Sequence, residues 1–193
     1  GDIVTSSPFY VGEPRGQYEN DYLYFQAYSN TANTHNYFTF RNSLLSRTPM
    51  LYVGGNDGML HAFDATTGIE RFAFIPNALL ANLKELPNQS YQHKFFVDGS
   101  PIIADAEFST GWKTILVGGY NQGGRGIYAL DVTNPDSVTA ANVSGVPLWE
   151  FTSATSSDMG YSFATPHIAK MKNGKWAVIM SNGYNSDSEN AAL

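Results

Sequence analysis

At 193 residues the chain is long enough for one domain of roughly 100 to 200 residues, and its 42% hydrophobic residues supply a packed core. The balance of 11 Lys+Arg against 17 Asp+Glu gives a net charge of -6, which excludes the clustered cations of a phosphate-binding surface and with them a nucleic-acid partner. The absence of cysteine excludes a disulfide scaffold, a thiol nucleophile and Cys-ligated zinc, and leaves the redox compartment open.

In chain order, Gly1-Asp2-Ile3-Val4 opens without Met or a leader, and Asp2 to Phe9 reads as a first strand. Residues 12–48 read as an insertion rich in Tyr, Asn and Phe (Tyr18, Tyr22, Tyr24, Phe25, Tyr28, Tyr37, Phe38, Phe40), either an extra hairpin or a docked surface loop. Leu51-Tyr52-Val53 and Leu60-His61-Ala62-Phe63 flank Asn56-Asp57-Gly58, where Asp-Gly predicts a tight primed hairpin turn. Asp64 to Gly68 turns the next corner, before the aromatic run Arg71-Phe72-Ala73-Phe74. Leu79, Leu80, Leu83 and Leu86 then follow helical spacing over Asn77–Leu86, and Pro87 stops the run.

A second unit begins at Asp98-Gly99-Ser100-Pro101 and continues through Ile115-Leu116-Val117-Gly118-Gly119. Ile127-Tyr128-Ala129-Leu130-Asp131-Val132 and Leu148-Trp149-Glu150-Phe151 complete it. A third begins at Tyr161 to Pro166 and reaches Val178 to Gly183. Gly54 to Gly118 is 64 residues, Gly118 to Gly183 is 65, and Pro101 to Pro166 is 65. That period predicts Val53, Val117 and Ile179 at equivalent strand positions, with Gly118 and Gly119 ending a second strand and opening a hairpin that needs positive φ.

Four short strands per unit, separated by Gly, Asn and Asp turns, predict an all-β fold: a partial β-propeller of four-stranded antiparallel blades with an inserted segment and one short helix. Residues 1–193 are read as a fragment of a single propeller domain holding three blades, the last incomplete, because Ala191-Ala192-Leu193 stops as a new apolar run begins. The longest apolar run, Thr114 to Val117, falls far short of the roughly 20 residues of a membrane helix.

Leu51 to Gly68 resembles the repeat of quinoprotein-type propellers. Phe96-Val97-Asp98-Gly99-Ser100-Pro101, Gly118-Gly119 with Gly123 to Pro135, and Ser181-Asn182-Gly183-Tyr184-Asn185-Ser186 add a more specific pattern. Together these are similar to the C-terminal propeller of the PilC/PilY family, the type IV pilus biogenesis factors and tip-associated adhesins of Gram-negative bacteria. The resemblance runs from Gly1 to Leu193 and is weakest over 12–48. It implies a non-enzymatic scaffold that promotes pilus assembly against retraction and supports adhesion and motility. Its implied partners are minor pilins or other pilus components, and a host surface through regions outside this segment. Its implied place is the cell surface, outer membrane or periplasm. The family's calcium loop is expected beyond this segment, in the full-length protein, and an Arg-Gly-Asp tripeptide is missing, the nearest sequence being Arg125-Gly126-Ile127.

The residues offer few chemical candidates. Asn185, Asp187 and Glu189 place oxygens at alternate positions as a calcium loop does, but Asn190 stands where the loop glycine belongs, so a solvated hairpin turn is the first reading and no cofactor is expected here. His35, His61, His93 and His167 are scattered, and His61 reads as a turn-side or interblade hydrogen bonder. Gly118 to Gly126 lacks the GK[ST] of a phosphate loop, and Arg125 reads as a structural partner of a carboxylate or carbonyl. Asp57, Asp64, Asp98, Asp105, Asp131 and Asp158 are read at turns, with Asn56, Asp57, Gly58, Asp64, Gly68, Gly118, Gly119 and Asp131 as the structural turn residues. Trp112, Trp149, Trp176, Phe72, Phe74 and Phe151 read mostly as interblade core, with a minority free to form an exposed patch. Two other functions stand as alternatives: a pyrroloquinoline-quinone-type dehydrogenase propeller, weakened by the absent cysteine pair, and a periplasmic outer-membrane assembly scaffold, whose blades are shorter than this period.

Overall fold

A computed structural model describes residues 1–16, 18 and 35–193. Phe9–Val11 (β1), Met50–Gly54 (β2), Leu60–Asp64 (β3) and Glu70–Phe74 (β4) form one four-stranded sheet in sequential order. Ile102–Phe108 (β5), Gly111–Gly119 (β6), Gly126–Asp131 (β7) and Pro147–Thr152 (β8) form a second of the same order, and His167–Lys170 (β9) pairs with Trp176–Ile179 (β10) in a third sheet of two strands. Every pairing is antiparallel. This is the up-and-down order of propeller blades, and the three sheets do not close a ring.

The apolar run of β6 follows from its place in the middle. Leu116, Tyr128 and Leu130 on one face of the second blade join Met50, Tyr52, Leu60 and Ala62 of the first in one core. Ile115, Val117, Ile127 and Ala129 on the opposite face join Ile168, Trp176 and Val178 of the third sheet in another. A strand buried on both faces has no solvent side to mark with polar residues, so period-two alternation disappears. Each fully buried Leu or Val here contributes about 1.5–3 kcal/mol.

The hydrogen-bond register corrects the alignment read from the glycines. Tyr52 lies opposite Phe9 and Ala62, whereas Val117 lies opposite Ile102 and Ala129, so Tyr52 and Val117 share one place. Ile179 shares it too, because it lies opposite His167, directly after Pro166, as Ile102 follows Pro101. Val53 is one residue out and shares the place of Gly118. The cause is the third strand: His61 faces Val53, but Tyr128 faces Gly118, and a Cβ on Gly118 would lie 2.2 Å from the Tyr128 hydroxyl oxygen. Gly118 and Gly119 do not adopt positive φ; the glycine at 118 answers to the tyrosine ring. Gly183 falls beyond its strand, in the Tyr161–Tyr184 bridge, with φ +82°.

The turn at Asn56-Asp57-Gly58 also differs from the expected primed form: only Gly58 has positive φ, at +93°, and the Gly55 N–H closes it on Met59 O at 2.8 Å. The same closing bond recurs in the other sheets, Tyr120 N–H to Gly126 O at 3.2 Å and Asn182 N–H to Ala192 O at 3.1 Å. Asn77–Glu85 is a 3-10 helix. Apolar spacings of three and four over so short a run fit both helical periods, and the tighter one turns Leu79 inward while leaving Leu80 exposed. The insertion holds a further short helix, Tyr37–Ser43 (α1), capped by the Asn36 side chain accepting from Thr39 N–H. Tyr22, Tyr24, Phe25 and Tyr28 lie outside the described residues.

Adding a methyl group separates the two glycines of β6. Gly118→Ala is expected to cost about 1–3 kcal/mol by overpacking against Tyr128, while Gly119→Ala, with its nearest neighbours 3.5 Å or more away, is expected to stay within about 0.5 kcal/mol. Chemical denaturation of the two variants checks this, and equal losses would remove the ring as the reason for glycine.

Candidate functional site

The most elaborate polar construction in the described residues is the seat of the insertion on the second blade. Arg47, just after α1, is buried, and its Nη1 donates to Thr114 Oγ1 at 2.9 Å and to Thr133 O at 3.1 Å. Its Nε donates to Gly12 O at 2.9 Å, so one guanidinium joins both ends of the insertion to the second blade. Thr114 Oγ1 donates in turn to Asp105 Oδ1 at 2.7 Å, and Tyr37 Oη of α1 donates to Asp105 Oδ2 at 2.6 Å. Burial holds the Tyr37 phenol far above its ordinary pKa, and the Asp105 carboxylate pushes the same way. Burial lowers the Arg47 pKa, against the pull of Asp105.

Aromatic packing completes the seat. Trp112 meets Tyr37 edge-on at 4.7 Å and Trp176 at 5.7 Å, with Tyr18 stacked on it at 5.1 Å. The Trp112 indole N–H donates to His35 O at 2.9 Å. Glu107 faces His35 Nδ1 at 3.2 Å on one side and buried Lys170 of the third sheet at 3.6 Å on the other. Asp105 therefore is no turn residue: it stands inside β5 as an acceptor, a position that an isolated aspartate in a sequence does not reveal. Arg47 and Tyr37 are equally silent in the sequence, since the bonds from Arg47 to Thr114 and from Tyr37 to Asp105 span 67 and 68 residues.

The turn residues lie where short-range chemistry puts them. Asp64 Oδ1 accepts from Thr67 and Thr66 N–H at 3.0 and 2.9 Å, which lowers its carboxyl pKa, and Gly68 follows at φ +73°. Asp131 Oδ1 accepts from Thr133 N–H at 3.1 Å, and its Oδ2 meets Lys113 at 2.7 Å. Asn56 reaches the segment that leads into the second blade, accepting from Phe96 N–H at 3.1 Å. Burial raises the Asp57 pKa, but the Gly1 amino group and His61 outweigh it, and the carboxyl lies below its ordinary value.

His61 bonds within its own blade, to Glu70 at 2.5 Å and Asp57 at 3.0 Å, so it is not an interblade bridge. His93 meets Asp2 at 2.8 Å, and His167 stands on β9. Arg125 reaches the Asn185–Glu189 turn, where its Nη1 donates to Asp187 Oδ1 at 2.5 Å and to Asn185 O at 3.1 Å. A guanidinium thus stands against two of the three positions that would have offered oxygens to calcium. Among the described residues no group of three or more His, Asp or Glu is arranged to hold a metal. Asp158 accepts from Ser188 Oγ at 2.5 Å, whereas Asp98 is buried with neither oxygen partnered by protein. Phe72 and Phe74 pack into the first interblade core, but Trp149 and Phe151 are 40% and 39% exposed and flank a cleft.

Removing Arg47 tests the seat. Arg47→Met leaves the buried acceptors Gly12 O and Thr133 O without their donor and removes the charge that favours the nearby Asp105 carboxylate, at a cost of about 1–3 kcal/mol, which corresponds to a melting point lowered by roughly 2–12 °C in a domain of this size. A loss under about 1 kcal/mol would show that the network carries no stability.

The comparisons extend over the whole chain. A model of the PilY1 beta-propeller domain matches residues 1–193. The type IV pilus biogenesis factor PilY1 of Pseudomonas aeruginosa (strain UCBPP-PA14) is 45% identical over 196 residues, covering 100% of this chain and 16% of that protein. A PilY1 homolog of Xylella fastidiosa (strain Temecula1) is 43% identical over 194 residues, covering 100% of this chain and 15% of that one. The crystal structure of the P. aeruginosa PilY1 C-terminal domain matches with a TM-score of 0.72 and 40% identity, over 94% of this chain and 33% of that one. The chain thus spans about a sixth of the length of these curated relatives. With residues 1–193 matched by the family model and 45% identity to a relative over the same span, the chain belongs to the PilY1 β-propeller family.

Proposed function

We propose that this segment is a non-enzymatic scaffold of the type IV pilus machinery, promoting pilus assembly against retraction and supporting adhesion and motility. The observation that carries the reading is family membership over residues 1–193: the matched relatives are type IV pilus biogenesis factors, and the match includes every blade strand described here. The construction agrees with a scaffold. Two blades share one continuous core, and the insertion is fastened to the second by a buried charge network, which suits a rigid surface that presents loops. On this reading the partners are minor pilins or other pilus components, a host surface is reached through other regions, and the protein works at the cell surface, in the outer membrane or periplasm of a Gram-negative bacterium.

Calcium belongs, on the same reading, to other parts of the full-length protein, because Arg125 already supplies the cation at Asp187. A thermal melt of the segment is expected to be unchanged by chelator, and a fall of several degrees would show a metal site assembled from residues described above as turns.

The function is tested with the clash at Gly118. Gly118→Val in the full-length protein is expected to reduce surface pili with pilin levels intact, while Gly119→Ala leaves pili at normal numbers. Pili are counted by electron microscopy, with pilin and variant protein followed by immunoblot. Normal pilus numbers despite a demonstrably disrupted blade would defeat the assembly role, and loss of attachment alone would leave the propeller as a carrier for a distant adhesive region.

A further inference from the structure

Two Asn-Gly pairs stand in the chain, Asn173-Gly174 and Asn182-Gly183. The pair matters chemically because the main-chain nitrogen after an asparagine can attack the side-chain amide carbon, and glycine, with no Cβ, leaves that approach open. Gly174 and Gly183 both have positive φ, at +79° and +82°, so their own conformation does not separate them. Their surroundings do.

The Asn182 side chain is held at both polar atoms. Its Nδ2 donates to Asp158 O at 2.7 Å and to Asn190 O at 2.8 Å, and its Oδ1 accepts from Ala192 N–H at 3.0 Å. Its carbonyl accepts from Gly160 N–H at 2.9 Å, and Gly183 lies so near the facing loop that a Cβ there would stand 2.1 Å from Tyr161 O. The amide cannot swing toward the Gly183 nitrogen without breaking these bonds, and the nitrogen that would have to leave is bonded twice. Asn173 is placed differently, at the tip of the hairpin between β9 and β10, where it is exposed together with Lys172 and Lys175. Its Oδ1 accepts from Lys175 N–H at 3.0 Å, which polarises the side-chain carbonyl toward attack, while its Nδ2 meets no acceptor among the described residues. The Gly174 N–H donates to Met171 O at 2.8 Å, a bond at an exposed hairpin tip that local opening breaks at small cost. The attacking nitrogen is negative once its proton is lost, and the two lysine cations beside it favour that charge.

We propose that Asn173 is a site of spontaneous deamidation with water as the co-reactant, and that the fold protects the same pair at Asn182. A base, hydroxide or buffer, takes the Gly174 amide proton, and the nitrogen bonds to Asn173 Cγ. The Cγ–Nδ2 bond breaks and ammonia leaves, carrying a proton returned by the conjugate acid, so that a succinimide ring remains. Water then adds to one of the two ring carbonyls and opens the ring, giving aspartate, or isoaspartate where the main chain now runs through the side-chain carbon. Nothing is oxidised or reduced: ammonia is exchanged for water. The turn between Lys172 and Lys175 gains a negative charge at neutral pH, and isoaspartate adds a methylene to its main chain.

The full-length protein, incubated at mildly alkaline pH in heavy-oxygen water and mapped by mass spectrometry, tests this. Conversion at Asn173 is expected to run roughly tenfold or more faster than at Asn182, since the second amide must first break three side-chain bonds. Aspartate and isoaspartate are both expected at 173, each carrying the heavy oxygen. In denaturant the two positions are expected to convert at similar rates. Equal rates in the folded protein, or no conversion at 173 while the denatured chain converts, overturn the proposal. Aspartate without isoaspartate would replace the ring by direct hydrolysis and contradict the step, and a rate difference that survives in denaturant would assign the protection to neighbouring residues in place of the fold.

Discussion

The Tyr128 ring lying on the bare Cα of Gly118 sets how closely β7 can fold over β6, and through them how the second blade meets the first. The ring is fully buried, stacked 5.9 Å from Tyr120 and tilted against Phe74 of the first blade at 5.3 Å. Tyr120 in turn donates to Glu150 of β8, whose carboxylate also accepts from the N–H groups of Asn77 and Ala78 at the start of the 3-10 segment. One aromatic contact thereby fixes a strand pair, a blade interface and the linker that crosses between blades. Interiors at this packing density transmit a displacement of a few tenths of an ångström instead of absorbing it.

The insertion is positioned by a different kind of force. Apolar packing tolerates sliding, because one hydrophobic contact substitutes for another at similar free energy. A buried guanidinium shared by Gly12, Thr114 and Thr133, with Asp105 held by Thr114 and Tyr37, has one arrangement that satisfies its donors and acceptors. Such a network adds little net stability over an apolar replacement, yet breaking one member is costly. It defines where residues 12–16 and 35–48 sit on the second blade, and so what surface the protein presents there.

Most of the architecture was legible because it depends on local chemistry repeated three times. Asp64 with Gly68, and Asp131 with Thr133, form turns from atoms only a few residues apart, and such turns leave their mark in composition. Apolar runs between them declared strands. The sequence places Val53 one residue out of register for a specific reason: paired glycines look alike in a sequence, while the hydrogen bonds align Gly54 with Gly119 and assign Gly118 to a valine's place. Tyr128, on the facing strand, decides that exchange. The seat of the insertion is hidden in the sequence because Arg47 and Tyr37 reach Thr114 and Asp105 across 67 and 68 residues, which no short motif spans. Residue type does not tell which of the aromatic rings form the exposed minority: burial is decided by what lies opposite, and opposite Trp149 and Phe151 is the cleft.

A double-mutant cycle between Gly118→Ala and Tyr128→Leu examines the aromatic contact on which the seam rests. Leucine at 128 keeps an apolar side chain in the core but removes the ring atoms that a Cβ at 118 would meet, at 2.2 to 2.9 Å. Measured by denaturation, the alanine substitution is expected to cost about 1–3 kcal/mol with tyrosine in place and close to nothing with leucine, a coupling well above the roughly 0.3–0.5 kcal/mol seen between independent sites. Equal costs in both backgrounds would contradict the account, since the glycine would then be required by something other than the ring that joins the blades.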